Sequence, residues 1–344
     1  MVGRGLDAVL VTDLVNVRYL TGFTGSSAAV LVGTDASVVL ATDGRYRDQS
    51  ATEAPDVERV ITRTLDRELM SRAITDRRRR VGFEDLALTV AAHTELSKRT
   101  SVELAPVGDL VVDLRVVKDE TEVTLLRDAC RISDAAFATL LPELHAGQTE
   151  RAIARRLEAL MFEAGADAIA FDTIVAAGPH TAVPHHQPTN RPVANGELLK
   201  MDFGALREGY HADMTRTVAV GPPAAWQQEV YLVVVAAQRA GREALREGAG
   251  LADVDHAART VVVEAGLGEH FTHGLGHGVG LQIHEAPFLG ATALGKLAAG
   301  TPVTVEPGVY LPGRGGVRIE DTLLVGRRDA ESLTTTTREL LVVG

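Results

Sequence analysis

The sequence predicts an α/β protein of two domains, a small N-terminal α/β domain of residues 1–115 and a C-terminal α+β domain of residues 116–344. The chain has 344 residues, 45% of them hydrophobic and 24% charged, and this length exceeds the usual size of a single hydrophobic core. A strand-like run, Leu110–Val112, gives way to the polar stretch Lys118–Glu120 and then to a long helix. We therefore expect the domain boundary in this region.

Apolar periodicity predicts the elements of each domain. The first domain is expected to contain strands at 8–11, 28–32 and 38–41 and helices near 65–74 and 91–98. In the second domain we expect amphipathic helices at about 121–141, 150–164, 224–245 and 252–265. Two of these helices precede each of two predicted β-hairpins.

The first predicted hairpin, Glu197–Val220, carries one acidic residue on each arm. An apolar run leads to a glycine-bearing turn at Leu206–Gly209, and an alternating run rich in Thr and Val returns. Folding the segment about Arg207–Glu208 puts Asp202 opposite Asp213, where Cβ atoms lie roughly 4.5–5.5 Å apart. Two carboxylates that close repel each other, so we expect a cation between them.

The second predicted hairpin, Val303–Val325, repeats this arrangement. Its turn is the glycine-rich stretch Pro312–Gly316. Folding about Gly313 sets Glu306 opposite Glu320. The sequence therefore predicts a second pair of facing carboxylates.

A histidine completes the predicted cluster. His277 lies in His-Gly-Leu-Gly-His-Gly-Val-Gly, residues 273–280. The helical zinc-protease pattern requires His-Glu-x-x-His, and each glycine here would destabilise a helix by about 1 kcal/mol relative to alanine. An irregular or extended segment whose backbone passes close to a ligand fits better.

Charge balance favours metal ions over a buried acid cluster. The four acids carry four negative charges when ionised, which two divalent ions would balance, with a bridging water or hydroxide as the nucleophile. Carboxylate oxygens with one imidazole form a hard ligand set, which favours Mn²⁺ or Co²⁺ over a structural zinc. The one cysteine, Cys130, lies in a predicted helix far from the cluster.

Five motifs in this order resemble one family. Met-Asp-Phe-Gly-Ala, Asp-Met-Thr-Arg-Thr, His-Gly-Leu-Gly-His, Val-Glu-Pro-Gly and Arg-Ile-Glu-Asp are similar to those of the pita-bread metallopeptidases, above all Xaa-Pro dipeptidases (prolidases) and aminopeptidases P. The resemblance covers the whole chain, most strongly residues 116–325. It implies a creatinase-like N-terminal domain, a catalytic domain of two like halves, and a homodimer. The implied reaction is hydrolysis of an N-terminal Xaa-Pro bond with two divalent ions, manganese first and cobalt or zinc as alternatives.

The resemblance also implies a role for each ligand. Asp202 would chelate one metal, and Asp213 and Glu320 would bridge both. His277 and Glu306 would complete the other site. Glu306 would also handle the proton of the attacking water.

Four further residues match family positions near the substrate. His185 would contact the substrate near the scissile bond, and His284 would donate a hydrogen bond to the tetrahedral oxyanion. His273 would line the proline pocket, and Arg318 would buttress the metal carboxylates and contribute to substrate binding. For His273 and Arg318 a structural role behind the ligands remains an alternative.

A dipeptidase gains by reading the free carboxylate of the proline. Arginine suits this task because its planar fork binds a carboxylate at two points. Arg45, and after it Arg47, follow an apolar strand in the first domain and are our candidates. A solvated surface arginine is the alternative, since exposed arginine is the norm.

Composition excludes several other classes of function. The net charge of −11 gives no electrostatic reason to bind DNA or an anionic membrane, so the run Arg77–Arg80 is interpreted as a solvated turn. The start of the chain shows no secretory signal and no apolar run reaches transmembrane length, which makes the cytoplasm the expected location. Four of the other histidines are interpreted as structural, namely His180, His186, His211 and His256.

One alternative function stays open and three others are disfavoured. An aminopeptidase P acting on longer Xaa-Pro peptides shares every motif. A methionine aminopeptidase shares the ligands but not the layout of the N-terminal domain, and an amidinohydrolase on this fold lacks the metal set. A non-catalytic binding protein would purify without metal.

Overall fold

In the computed structural model, which describes residues 1–344, the chain divides after Arg115 into two units, Met1–Arg115 and Val116–Gly344. The first unit is built on one mixed sheet with the strand order β4-β3-β2-β1-β5-β6. Its strands are β1 (Ala8–Val11), β2 (Ala28–Gly33), β3 (Val38–Thr42), β4 (Glu58–Ile61), β5 (Arg80–Phe83) and β6 (Glu103–Pro106). The helices that begin in this unit are α1 (Leu14–Thr21), α2 (Arg47–Glu53), α3 (Leu65–Thr75), α4 (Val90–Arg99) and α5 (Val112–Val116).

Separate apolar clusters lie on the two faces of this sheet, because side chains alternate along each strand. The three predicted strands and two predicted helices are confirmed. The strand predicted at Leu110–Val112 is wrong, since Val112 begins α5 and the backbone N–H of Asp113 donates to the Asp109 carbonyl (2.8 Å). A run of three apolar residues suits a helical turn as well as a strand.

Four long helices and several small sheets form the second unit. The helices are α6 (Glu120–Leu140), α7 (Glu150–Glu163), α8 (Ala225–Ala244) and α9 (Leu251–Glu264). The strands of its first half are β7 (Ala168–Ile169), β8 (Ile174–Ala177), β9 (Glu197–Phe203), β10 (Ala205–Arg207), β11 (Tyr210–His211) and β12 (Met214–Val220). Those of its second half are β13 (Gly276–Gly278), β14 (Glu285–Leu289), β15 (Pro302–Val305), β16 (Gly308–Leu311), β17 (Gly315–Arg318), β18 (Asp321–Leu324), β19 (Glu331–Ser332) and β20 (Val342–Val343).

The second unit has two apolar cores, one for each half. In one core α6 and α7 pack on β8, β9 and β12, and in the other α8 and α9 pack on β15 to β18. Two helices therefore precede each of the two acid-bearing hairpins, as predicted. Helix α6 begins with a capping box in which Asp119 and Glu122 each accept a hydrogen bond from the other's backbone N–H.

The register of the first hairpin corrects the sequence-based prediction. Asp202 pairs with Thr215, not with Asp213. The reason is the turn, which is centred on Glu208 and Gly209, both with positive φ (49° and 83°), as in the two-residue turns that match strand twist. Moving the centre by one residue moves every pairing by two, so Asp202 and Asp213 are diagonal neighbours but stay on one face.

The second hairpin has the predicted register. The pairs Val305↔Asp321 and Gly308↔Arg318 flank Glu306 and Glu320, so these two acids face each other at the junction of the two strand pairs. Gly313, with a φ of 74°, lies at the centre of the turn. Facing strands thus present the second carboxylate pair.

The segment around His277 is extended, as predicted, and two of its glycines lie against neighbouring strands. A Cβ at Gly276 would lie 2.1 Å from the Thr304 carbonyl oxygen, and one at Gly278 would lie 2.3 Å from that of Ala286. Close approach of neighbouring strands therefore requires glycine on both sides of His277.

Candidate metal centre

Five strands of the second unit bring together the five predicted metal ligands. Asp202 is the last but one residue of β9 and Asp213 lies directly before β12, whereas His277 is the middle residue of β13. Glu306 follows β15 and Glu320 precedes β18. All five line one cavity of about 620 Å³.

Three of these residues form a tight ligand group. The ligand atoms of Asp213, His277 and Glu320 all lie within 4.8 Å of one another. His277 Nε2 is 3.5 Å from Asp213 Oδ2 and 3.3 Å from Glu306 Oε1. Distances of this size suit atoms that share a metal ion.

Unpaired buried oxygens show that the residues fit a cation. Asp202 Oδ1 and Glu320 Oε1 are buried and have no hydrogen-bond partner, although buried polar groups are normally paired. The other Glu320 oxygen accepts a hydrogen bond from Thr215 Oγ1 (2.6 Å). The donor set of four carboxylates and one imidazole matches divalent ions such as manganese.

Crowding of the acids perturbs their pKa values in the direction that a cation would relieve. Burial and the neighbouring Asp202 carboxylate raise the pKa of Asp213 well above its usual range. Burial and the Asp213 carboxylate do the same to Glu320. An uncompensated cluster of this kind resists full ionisation, and bound divalent ions remove that resistance.

His277 is held in the orientation that a ligand needs. Its Nδ1 lies 3.0 Å from the Gly278 carbonyl oxygen, which leaves Nε2 facing the acids. Burial alone would lower the pKa of His277, but its hydrogen bond with Glu306 raises it to about 9. The same hydrogen bond outweighs burial at Glu306 and lowers its pKa to about 2.

Arg318 is fully buried and organises the acids from behind. Its guanidinium donates to Asp202 Oδ2, to Thr215 Oγ1 (3.1 Å) and to the Tyr310 hydroxyl (2.9 Å). The Tyr310 hydroxyl is also 2.9 Å from His273 Nε2. Arg318 therefore supports the acids, as the resemblance implies, and neither Arg318 nor His273 is among the residues that line the cavity.

His185 and His284 both line the cavity and are exposed to it. The His284 ring lies edge-on to the His277 ring with 4.4 Å between centroids. Burial and the nearby His277 lower the pKa of His284. Phe171 and Ile283 add apolar surface to the same cavity.

The loop that carries His185 is held by residues that sequence reasoning missed. Lys200 is fully buried, and its Nζ donates to the carbonyls of Val183 (2.7 Å) and Pro184 (3.1 Å). Glu150 is also buried and accepts a hydrogen bond from the His186 ring (2.9 Å). A charged residue within an apolar strand was the available signal for Lys200, because such a residue needs buried partners.

Glu150, His180 and His186 form a second group with metal-ligand geometry. The Glu150 oxygens, however, already accept hydrogen bonds from the backbone of Ala177, from both rings, and from the backbone and hydroxyl of Thr189. With both oxygens occupied by donors, this carboxylate acts as a structural acceptor. His180 and His186 stabilise the loop.

Helix α7 contributes charged residues to the cavity lining that the sequence analysis did not single out. Arg151, Arg155 and Glu158 line it, and their spacing of four and three residues puts them on one helix face. Arg151 donates to Asn190 (2.9 Å). That spacing was visible in the sequence, but only the fold shows that the face borders the metal ligands.

Arg45 has a partner within its own domain. Its Nε and one terminal nitrogen donate to the two Asp43 oxygens (2.9 and 2.8 Å), and its side chain is 68% exposed. Asp43 also begins the short 3₁₀ helix that contains Arg45. A substrate carboxylate would have to compete with Asp43 for this fork.

Comparisons with known proteins identify both parts of the chain. Residues 124–327 match the model of metallopeptidase family M24, and residues 1–117 match the creatinase/prolidase N-terminal domain. The Xaa-Pro dipeptidase of Pyrococcus horikoshii is 35% identical over 98% of this chain and 95% of its own length.

Solved structures agree with the sequence comparisons. The Xaa-Pro dipeptidase from Bacillus anthracis superimposes with a TM-score of 0.96 at 36% identity, covering 99% of this chain and 96% of its own. The X-Pro aminopeptidase from Thermotoga maritima gives 0.92 at 34% identity, covering 98% of each chain. None of the helices is both long enough and apolar enough to cross a membrane. The chain belongs to metallopeptidase family M24, with a creatinase/prolidase N-terminal domain ahead of its prolidase-like catalytic domain.

Proposed function

We propose that this metallopeptidase hydrolyses the Xaa-Pro bond of short peptides, with Xaa-Pro dipeptides as its preferred substrates. The observation that carries the proposal is the set of five ligands in one cavity of a family M24 chain. Relatives named Xaa-Pro dipeptidase, which match nearly the whole chain, support the dipeptide preference. We further propose a cytoplasmic homodimer.

The five ligands would hold two divalent ions, for which we propose manganese. Asp202 would bind one ion, and Asp213 and Glu320 would be shared by both. His277 and Glu306 would complete the second site. When bound, such a pair acidifies water and polarises the scissile carbonyl.

The cavity residues divide the remaining chemistry between them. Glu306 would take the proton of the attacking water on one of its oxygens. His284 would donate a hydrogen bond to the oxygen that becomes negative as the carbonyl turns tetrahedral. His185 would contact the substrate on either side of the scissile bond, and the apolar Phe171 and Ile283 would accept the proline ring or its neighbour.

Two arginines are candidates for binding the proline carboxylate. Arg45 remains one, with Asp43 as its competitor. Arg155 is the other, because it lines the cavity and has no ion pair or hydrogen bond from its side chain. An arginine without a partner loses no existing bond when it binds a carboxylate.

A comparison of three peptides tests the proposal. Purified protein with added Mn²⁺ is assayed on Leu-Pro, Leu-Pro-Ala and Leu-Ala, with release of the N-terminal leucine as the readout. The proposal expects the highest kcat/KM for Leu-Pro and little hydrolysis of Leu-Ala. A clear preference for Leu-Pro-Ala would reassign the chain to aminopeptidase P, and equal hydrolysis of Leu-Ala would remove the proline requirement.

A further inference from the structure

A second cavity of about 630 Å³ lies along one face of helix α8, within the catalytic unit. Tyr231, Val235, Gln238 and Arg242 line it from the helix, spaced so that they share one face. The C-terminal segment at 338–342 forms the other wall. Its size falls within the range of small-molecule sites, about 300–1,000 Å³.

Apolar groups dominate the mouth of this α8 cavity. Leu232 is 67% exposed and Val342 is 56% exposed, although both are aliphatic. Tyr231 is buried beside them, and its hydroxyl donates to the Arg338 carbonyl (3.1 Å). The mouth therefore offers a surface for an aliphatic side chain.

The inner end of the cavity holds an acceptor without a donor. Gln238 is fully buried, and its Nε2 donates to Asp321 Oδ2 (2.6 Å). That bond fixes the amide orientation, so the free atom is the carbonyl oxygen Oε1, which is buried and unpaired. A buried carbonyl without a donor costs roughly 1–3 kcal/mol, which a ligand with an N–H group would remove.

Beside this acceptor lies an arginine without a partner. The Arg242 side chain forms no ion pair and no hydrogen bond, and its Nε is buried. Burial and the nearby Arg338 lower the pKa of Arg242. A buried acid that influences Arg242, Asp321, already accepts hydrogen bonds from Arg216 and Arg338.

The lining is therefore positive overall. Arg239, Arg242 and Arg338 oppose the single acid Glu339, which is exposed. An occupant that complements these groups has a carboxylate for Arg242, an N–H donor for Gln238, and an aliphatic body for the mouth. An α-amino acid carries its carboxylate and its ammonium group on the same carbon. It can therefore meet Arg242, which needs an anion, and the adjacent Gln238 carbonyl, which needs a donor.

We propose that the α8 cavity is a binding site for a free aliphatic α-amino acid, separate from the metal centre. Arg242 binds the carboxylate, Gln238 Oε1 accepts from the ammonium group, and Leu232 and Val235 contact the side chain. Binding at this site does not depend on the proposed peptidase function, although the hydrolysis of aliphatic Xaa-Pro peptides would supply such a ligand.

Isothermal titration calorimetry with L-leucine tests the site in the full chain. Because the metal centre can also hold an amino acid, the titration is repeated with Asp213→Ala, in which that centre is disabled. The proposal expects leucine binding to persist there. Arg242→Gln should weaken binding by about tenfold or more, the usual effect of losing a charged hydrogen bond. Leu232→Glu should weaken it by a similar factor, because it replaces the apolar contact with a charge.

Matched controls distinguish the loss of specific contacts with the ligand from general destabilisation of the protein. Arg246→Gln removes an exposed arginine of the following loop that does not line the cavity, and it should bind leucine like the wild type. Leucinamide, which lacks the carboxylate, and 4-methylpentanoate, which lacks the ammonium group, should each bind about tenfold more weakly.

Three outcomes would overturn the proposal. One is the absence of saturable leucine binding in the wild type. A second is binding that is lost in Asp213→Ala but unchanged in Arg242→Gln, which would locate leucine at the metal centre. The third is a wild-type dimer that binds no leucine and becomes monomeric in Leu232→Glu, which would make this face a contact between two copies of the chain.

Discussion

Replacing Glu150 with glutamine would put an amide where only hydrogen-bond donors converge. The Glu150 side chain has no exposed surface, and its Oε2 accepts from His186 Nε2 (2.9 Å), Thr189 N (3.0 Å) and Thr189 Oγ1 (2.6 Å). Its Oε1 accepts from the backbone of Ala177 (2.8 Å) and from His180. Either orientation of the glutamine amide directs an NH₂ group at these donors.

The pKa of Glu150 sets the size of the effect. Burial would raise this pKa, but the hydrogen bonds from Thr189 and His186 lower it from 4.5 to about 2. Since each pKa unit corresponds to about 1.4 kcal/mol, the ionised form contributes on the order of 3 kcal/mol to folding. Losing one or two hydrogen bonds to a charged group, about 1.5–3 kcal/mol each, gives a similar figure.

Urea unfolding at neutral pH should therefore show Glu150→Gln to be less stable by about 3 kcal/mol. Because the folded-state pKa is depressed, this contribution is complete above about pH 4.5 and is lost as the pH falls towards 2. The difference in the free energy of unfolding between the variant and the wild type should decrease over that pH range. Glu163→Gln, an exposed glutamate of the same helix, is the matched control and should change stability by less than about 0.5 kcal/mol.

Activity provides the second measurement for Glu150→Gln. His185 directly precedes His186, so a displaced loop should lower kcat/KM by about tenfold to a hundredfold even where the variant is folded. Unchanged stability at pH 7 would refute the hydrogen-bond reasoning. A destabilised variant with normal kcat and KM would show that the network does not position His185.

Three further predictions concern the metal centre and the substrate. Asp213→Ala should lose at least one metal ion by elemental analysis and several orders of magnitude of activity, and two retained ions with near-normal turnover would contradict its bridging role. His284→Ala should keep both ions but lose about 10²–10³ in kcat, whereas a defect in KM alone would assign His284 to substrate binding. Arg45→Ala and Arg155→Ala test which arginine binds the proline carboxylate. The variant of that arginine should lower dipeptide hydrolysis by about tenfold or more and leave tripeptide hydrolysis unchanged. Equal losses on both substrates would reject that arginine.

The first hairpin shows how far local pattern predicts register. Alternation of apolar and polar residues predicts that Asp202 and Asp213 share a face, because the side-chain period of a strand is two. It does not predict which residues pair. That depends on the backbone of Glu208 and Gly209, whose left-handed conformation places the turn one residue later than expected.

The register of the second hairpin was predictable because the sequence allows only one centre for its turn. Pro312 and the glycines that follow it strongly favour a turn at this point, and the strands on either side have matching lengths. The opposition of Glu306 and Glu320 follows directly. The family resemblance then adds roles that spacing alone does not supply.

The sequence by itself determined which five residues are the candidate metal ligands, because residue type and the motif around each residue are local properties of the chain. Only the tertiary structure showed that Arg318 and His273 share the Tyr310 hydroxyl, that Glu150 and Lys200 hold the loop of His185, and that Arg242 has no partner. These facts depend on contacts between residues far apart in the chain. Packing decides whether a buried lysine or arginine finds a hydrogen-bond acceptor, and no short sequence pattern is diagnostic of that packing.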